Sequence, residues 1–370
     1  MIFECLQEYL NKGLGVVNRA IPVKGSLPVL SNVLITAQNG KVKLTATNLE
    51  TVITFTFGAS VSEEGSVTVP AKMFHEYVST LDSGKIVVNA KNNILNLTSL
   101  PKAKAKFNGM SAVEFPEIPA LDSETIQKFE INPKLLSNLV THTYFSSSPD
   151  VTRPALTGTL LSIEDGTLSF VTTDGFRLSQ KIHNLEAETE KLKVLIPTKT
   201  LQDVSKIFGT LEENVTLIHK SSDNLMFFSN SDTEIATRVI GSDFPDFKRI
   251  LPKEKVFTAT FKTSDLLNAV KLTSVFSKEA TSVIKLEFTN EGIVRVFSNS
   301  EDSGENVSEF EAQIEGSELN LGFNSKYLLD LLNNLKFENM VIESNGGTTP
   351  VVFKSPEVEN YIHLIVPMKI

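Results

Sequence analysis

The 370 residues contain no tryptophan and one cysteine, Cys5. A single thiol excludes an intramolecular disulfide and a cysteine-rich zinc site. The five histidines, His75, His142, His183, His219 and His363, are scattered and never spaced like a metal pair on one helix. No glycine-rich phosphate loop, dinucleotide turn or nucleophile elbow is present. No stretch approaches the roughly 18 unbroken apolar residues of a membrane helix. Residues 1–11 include Glu4 and Glu8 and lack the basic start and apolar stretch of an export signal. A soluble protein of the cytoplasm, without metal or cofactor, is the expectation. Positive charge is also short: 35 Lys and Arg against 44 Asp and Glu, a net charge of −9. That total argues mildly against nucleic acid, but phosphate binding depends on where the cations sit.

What is present is an ordinary globular balance, 41% hydrophobic and 21% charged, enough for two or three domains. An internal repeat organises it. Gly40, Gly166 and Gly292 stand at equal intervals, 166 − 40 and 292 − 166 both being 126. Each lies between two alternating apolar runs, as Asn39-Gly40, Asp165-Gly166 and Glu291-Gly292, a hairpin signature because the turn needs positive φ. Downstream, each copy has a strand running into an amphipathic helix, expected at 71–81, 198–208 and 325–335. Each copy is expected to open with a helix, at about 5–20, 133–145 and 264–277. Phe115-Pro116, Phe244-Pro245 and Val366-Pro367 close the copies. Proline-bearing connectors at 117–128 and 250–255 suit boundaries, giving domains at 1–120, 128–249 and 256–370. Two helices per antiparallel sheet make an α+β class.

The cations follow a pattern. Lys12 and Arg19, Lys199 and Lys206, and Lys271 and Lys278 are seven residues apart on expected helices, so each pair shares a face. Lys24, Lys72, Lys134 and Lys326 lie near helix starts or in adjoining loops, and Arg153 joins the basic set. Such a surface, without aromatic stacking residues, suits backbone contact that ignores base sequence. Lys102, Lys104 and Lys106 alternate along one strand, whereas Glu301, Asp302, Glu305, Glu309, Glu311, Glu315 and Glu318 carry no basic residue among them. Opposite charges on the first and last copies match what a head-to-tail junction requires. Solvated helix faces and an acidic loop are the competing readings. Asp174, in the run Thr173-Asp-Gly-Phe-Arg177, is a carboxylate a catalyst could use. Its counterparts are Asn48 and Ser300, so a turn role is the better reading, and no enzyme is expected.

Several segments together resemble one family along nearly the whole chain. They are 27–34 (LPVLSNVL), 44–50 (LTATNLE), 172–178 (TTDGFRL), 243–252 (DFPDFKRILP), 322–330 (GFNSKYLLD) and 366–370 (VPMKI). The family is the bacterial sliding clamp, the beta subunit of DNA polymerase III. The resemblance implies three clamp-type domains and a head-to-tail homodimer forming a six-domain ring around double-stranded DNA. It also implies a pocket for short motifs of the polymerase, clamp loader and repair proteins. Carried over by position, the pocket would comprise Leu156, Thr173, Gly175, Phe176, Arg177, Leu178, Pro245, Arg249 and Ile250. The third copy would add Asn324, Tyr327, Pro350, Leu364, Ile365, Val366, Pro367 and Met368. Phe107, Val275 and Phe276 match apolar positions at the family's dimer junction. Family members commonly have His where Phe176 stands and Arg where Lys369 stands, so an altered motif preference is expected.

Overall fold

The computed structural model describes residues 1–23, 27–99, 103–121, 126–186, 190–252, 254–277, 282–300 and 304–369. Lys24, Lys102, Lys278, Glu301 and Asp302 lie outside the described residues, as do the side chain of Ser300 and residue 370.

The three hairpins form where expected: Asn32–Gln38 with Lys41–Thr47, Gly158–Glu164 with Thr167–Thr173, and Val283–Phe288 with Ile293–Ser300. Asn39 and Gly40, at φ 51° and 71°, and Asp165 and Gly166, at 49° and 72°, adopt the left-handed pair that a tight two-residue turn demands. The third loop is longer, and only Gly292 takes positive φ within it, its N–H donating to the Thr289 carbonyl at 3.2 Å. Helices form at Gln7–Val17, Ala71–Ser79, Pro133–Thr143, Thr198–Phe208, Thr263–Ser277 and Ser325–Asn334. Gln7–Val17 buries Leu10, Gly13, Leu14 and Val17, the spacing that presents one apolar stripe to a sheet.

The opening helices at Pro133–Thr143 and Thr263–Ser277 lie where expected, whereas the first begins at Gln7, and a strand precedes each of the three. Residues 2–6, expected to lie partly in a helix, form the strand Ile2–Leu6, and Ile126–Ile131 and Phe257–Lys262 likewise precede the other two opening helices. Alternation decides this: Phe3 and Cys5 are buried while Ile2 and Glu4 are half-buried, a period of two rather than 3.6.

The chain divides into two compact units, residues 1–135 with 203–239 and residues 136–202 with 240–370, so the middle copy is shared between them. Among the described residues each unit holds two antiparallel sheets, and in each unit one sheet spans two copies. In the first unit an eight-stranded sheet is joined where Thr51–Phe55 pairs with Thr233–Thr237. In the second, a nine-stranded sheet is joined where Arg177–Lys181 pairs with Tyr361–Ile365. A five-stranded sheet ends at Ala103–Asn108 and a four-stranded sheet ends at Gly304–Glu311. An apolar cluster of the second unit packs Leu266, Val270, Leu328 and Leu331 of two helices against Ile284, Leu286, Val294 and Phe323 of the four-stranded sheet. Each such side chain contributes roughly 1.5–3 kcal/mol by leaving water. No described helix is long and apolar enough to cross a membrane.

Candidate functional site

The nine-stranded sheet carries one continuous row of directly opposed residues: Thr173, Leu178, Leu364, Val352, Glu343 and Thr258. Directly opposed residues share a sheet face, so these side chains form a ridge across the strands. Leu178, Leu364 and Val352 belong to an apolar cluster with Leu160, Val171 and Leu195, flanked by half-buried Phe244, Phe247, Leu251 and Ile362. Leu156 is buried, whereas Pro245, Arg249 and Ile250 are exposed on the segment that follows Phe244. The Arg249 guanidinium is held by Asp246 at 2.7 Å.

The turn before Leu178 is built by side chains. Asp174 Oδ1 accepts the backbone N–H of Phe176 and of Arg177, both at 2.9 Å. The Thr173 hydroxyl donates to the Arg177 carbonyl at 2.6 Å and accepts the Gly175 N–H at 3.0 Å. Gly175 sits at φ +95°, a conformation that disfavours a Cβ, and an added one would lie 3.3 Å from Arg153 Nη2. Arg153, grouped in the sequence with the helix cations, is thus placed beside this turn. The tight turn leaves Phe176 58% exposed, with its carbonyl accepting Val366 N–H at 2.9 Å. Val366 and Met368 are also exposed, and Pro350 and Pro367 are half-buried.

Strand alternation sends Arg177 and Ile365 to the opposite face from Leu178 and Leu364. The Arg177 side chain is only 6% exposed. It donates to Asp174 at 3.1 Å and Asp330 at 2.7 Å, and its guanidinium carbon lies 4.5 Å from the Tyr327 ring centre. Burial and the neighbouring Asp174 and Asp330 carboxylates raise the Tyr327 phenol above its ordinary pKa, partly opposed by Arg177. Asn324 uses its side-chain oxygen to accept Lys326 N–H and cap a helix. Arg177, Tyr327 and Ile365 therefore brace the row from behind rather than line it.

The remaining candidates are dispersed over the chain. Lys72, Lys199, Lys206, Lys271 and Lys326 are exposed on or beside helices. Lys12 is bonded to Asp232 at 2.8 Å, Arg19 lies 3.6 Å from Asp203, and Lys134 lies 3.1 Å from Glu212. Spacing of seven residues could not reveal those partners, which come from far along the chain. Lys104 and Lys106 are exposed on the strand that ends the five-stranded sheet, and Glu305 on the strand that ends the four-stranded one. Phe107 is buried, its ring 5.0 Å from Phe74 and 5.6 Å from Tyr77, so it holds that edge strand to its own helix. Val275 is 63% exposed, and Phe276 is half-buried. Among the described residues no group of three or more His, Cys, Asp or Glu side chains is disposed to hold a metal.

Repeated helix-and-sheet modules, with an apolar row and a polar surround on a shared sheet, define a repeat-built binding protein. Three family profiles locate it more narrowly: the N-terminal, central and C-terminal domains of the DNA polymerase III beta subunit match residues 1–119, 130–246 and 248–369. The chain belongs to the DNA polymerase III beta subunit family, the sliding clamps, which are non-catalytic processivity factors of DNA replication. It is 28% identical to the beta sliding clamp of Synechococcus elongatus over 99% of this chain and 98% of that one. It is 27% identical to that of Bacillus subtilis over the full length of both. The solved beta subunit of Thermotoga maritima superimposes with a TM-score of 0.92 at 26% identity, covering 100% of this chain and 99% of that one.

Proposed function

We propose that two copies of this chain close head to tail into a ring of six domains, at 1–120, 128–249 and 256–370 of each copy, around duplex DNA in the cytoplasm. Exposed Phe176, Val366 and Met368, set over the buried Leu178–Leu364 row, hold short segments of the replicative polymerase, the clamp loader and repair proteins.

The observation that carries this reading is a pair of sheet edges with matched chemistry. Ala103–Asn108 presents Lys104 and Lys106, while Gly304–Glu311 presents Glu305, Glu309 and Glu311. Both are terminal strands of antiparallel sheets, whose free backbone groups favour strand addition. On the acidic edge strand itself Val307 is 56% exposed, and the adjoining helix exposes Leu272 and Val275 while burying Thr273, Ser274 and Ser277. A helix end with its apolar side outward is costly in a free monomer and suits a covered one. Exposed lysines on the helices supply phosphate contact without base readout, so the ring is retained by encirclement and the chain's negative total is no obstacle. Where family members commonly carry His, exposed Phe176 presents an apolar wall, favouring aliphatic and aromatic partner side chains.

Light scattering tests the ring. A mass near twice 40.7 kDa is expected, falling to the monomer in Lys104→Glu/Lys106→Glu. A monomer at every concentration overturns the junction. Retention on a nicked circle but loss from linear DNA is expected of the loaded protein. Equal loss from both overturns encirclement.

A further inference from the structure

Beyond Leu364 the opposed row continues through Val352 to Glu343, into a cavity of about 410 Å³ also lined by Leu251, Pro252, Glu254 and Lys255. Its floor includes Leu251, Val352 and Ile362, all members of or packed against the apolar cluster under Leu178. Its far wall is charged. Glu343 lies between two lysines, Lys354 bonding one carboxylate oxygen at 2.6 Å and Lys255 the other at 3.1 Å. The carboxylate is recessed, 16% exposed, whereas the Lys354 and Lys255 side chains are 39% and 59% exposed. The trio has one positive charge in excess, and each ammonium retains donors beyond the one given to Glu343. Glu254 stands exposed at the rim.

The fold does not require this charge. In the first unit the equivalent row runs Thr47, Val52, Ala236, Phe227, Ile218 and Lys128. There the position of Glu343 is held by buried Ile218, and that of Lys354 by Ser229. The same sheet junction has thus been built with an apolar residue where this one carries an ion cluster.

We propose that a partner segment anchored on exposed Phe176, beside Leu178 and Leu364, continues along the row and places an acidic side chain between Lys255 and Lys354. Three strand spacings separate Leu178 from Glu343, roughly 14 Å, which an extended chain covers in about four residues. The acid therefore stands about four residues from the apolar anchor, with the intervening chain lying over Val352 and Ile362. This inference rests on the peptide reading of the Leu178–Leu364 face.

The test is selection of random twelve-residue peptides, displayed on phage, against the intact protein, followed by fluorescence anisotropy of a labelled winner. Expected winners share an apolar anchor and an Asp or Glu about four residues away. Replacing that acid by its amide weakens binding about fivefold, the order of an exposed ion pair. On Lys255→Ala/Lys354→Ala the acid and amide peptides bind alike. Lys255→Ala alone leaves Glu343 paired with Lys354, so the fold is kept, and part of the preference is lost. Winners with no acid at that offset, or with a basic residue there, overturn the proposal. Phe176→Glu separates the two readings. If winners bind it undiminished, the peptide reading itself fails; if they weaken but lack the acid, only this inference fails.

Discussion

The two sheet junctions are built on the same turn. At the first, Asn48 Oδ1 accepts Glu50 and Thr51 N–H at 3.0 and 2.7 Å, and the Thr47 hydroxyl donates to the Thr51 carbonyl at 3.0 Å. At the second, Asp174 and Thr173 make the corresponding bonds to Phe176 and Arg177. Even the bond across the joint is repeated: Arg238 N–H to the Glu50 carbonyl at 3.1 Å, and Val366 N–H to the Phe176 carbonyl at 2.9 Å. The backbone solution was duplicated and the side chains diverged. Glu50 became Phe176, Thr51 became Arg177, Leu49 became Gly175, and Ile235, opposite Ile53, became His363, opposite Ser179. One joint is a plain splice; the other adds an exposed aromatic, a buried arginine and an ion cluster.

The largest expected difference lies behind the second turn. Arg177→Ala leaves Asp174 and Asp330 without their shared partner and should cost roughly 3–5 kcal/mol, the range for breaking a buried ion pair. Thr51→Ala, which loses the Thr51–Thr237 hydroxyl contact at 3.3 Å, should cost only about 1 kcal/mol. Urea unfolding of the two variants, read against wild type, decides whether the joints differ as stated.

The next difference is in pH response. His363 is fully buried, its Nδ1 2.8 Å from the Ser179 hydroxyl, and burial, aided by the Arg177 charge, holds its pKa well below the ordinary value. The unfolded chain then takes up a proton that the native state refuses. Stability is full above the unfolded value of about 6.5 and falls as pH drops below it. Between pH 8 and pH 5 this one group should remove about 2 kcal/mol. His363→Ile, copying Ile235 of the first joint, should flatten that fall in thermal melts; an unchanged slope would assign it to other groups.

Smaller effects come from the turn itself. Phe176→Glu, which reproduces Glu50, should weaken a peptide bound at this face at least tenfold, about 1.4 kcal/mol, while changing stability by less than about 0.5 kcal/mol. Comparable affinity for both proteins by anisotropy would remove Phe176 from the site. Smallest is Leu49→Gly. Leu49 sits at φ 76°, costly for a branched side chain, so glycine there should stabilise by about 0.5–1 kcal/mol. Gly175→Ala should do the reverse, and thermal melts of the pair test whether the turns are equivalent.

Much of this was readable in the chain. Asn39-Gly40 and Asp165-Gly166 announce hairpins because few other residues tolerate consecutive left-handed conformations. Helix stripes such as Leu328, Leu331 and Leu332 follow from 3.6-residue periodicity. The first strand was missed because five residues of alternation, broken by an adjoining helix, look like the helix's own beginning. The candidate site is legible only through resemblance, because the register that turns Arg177 and Ile365 to the opposite face from Leu178 and Leu364 is set between strands far apart in the chain.

By itself, then, the sequence determined the repeat, the α+β modules and the opposite charges of the two terminal sheet edges, because these depend on local periodicity and composition. Tertiary structure decided what each side chain faces. Only cross-strand register aligns Leu178 with Leu364 and Glu343, and only folding brings Asp232 to Lys12 across 220 residues of chain. Register carries that information because a shift of one residue would turn every side chain to the other face.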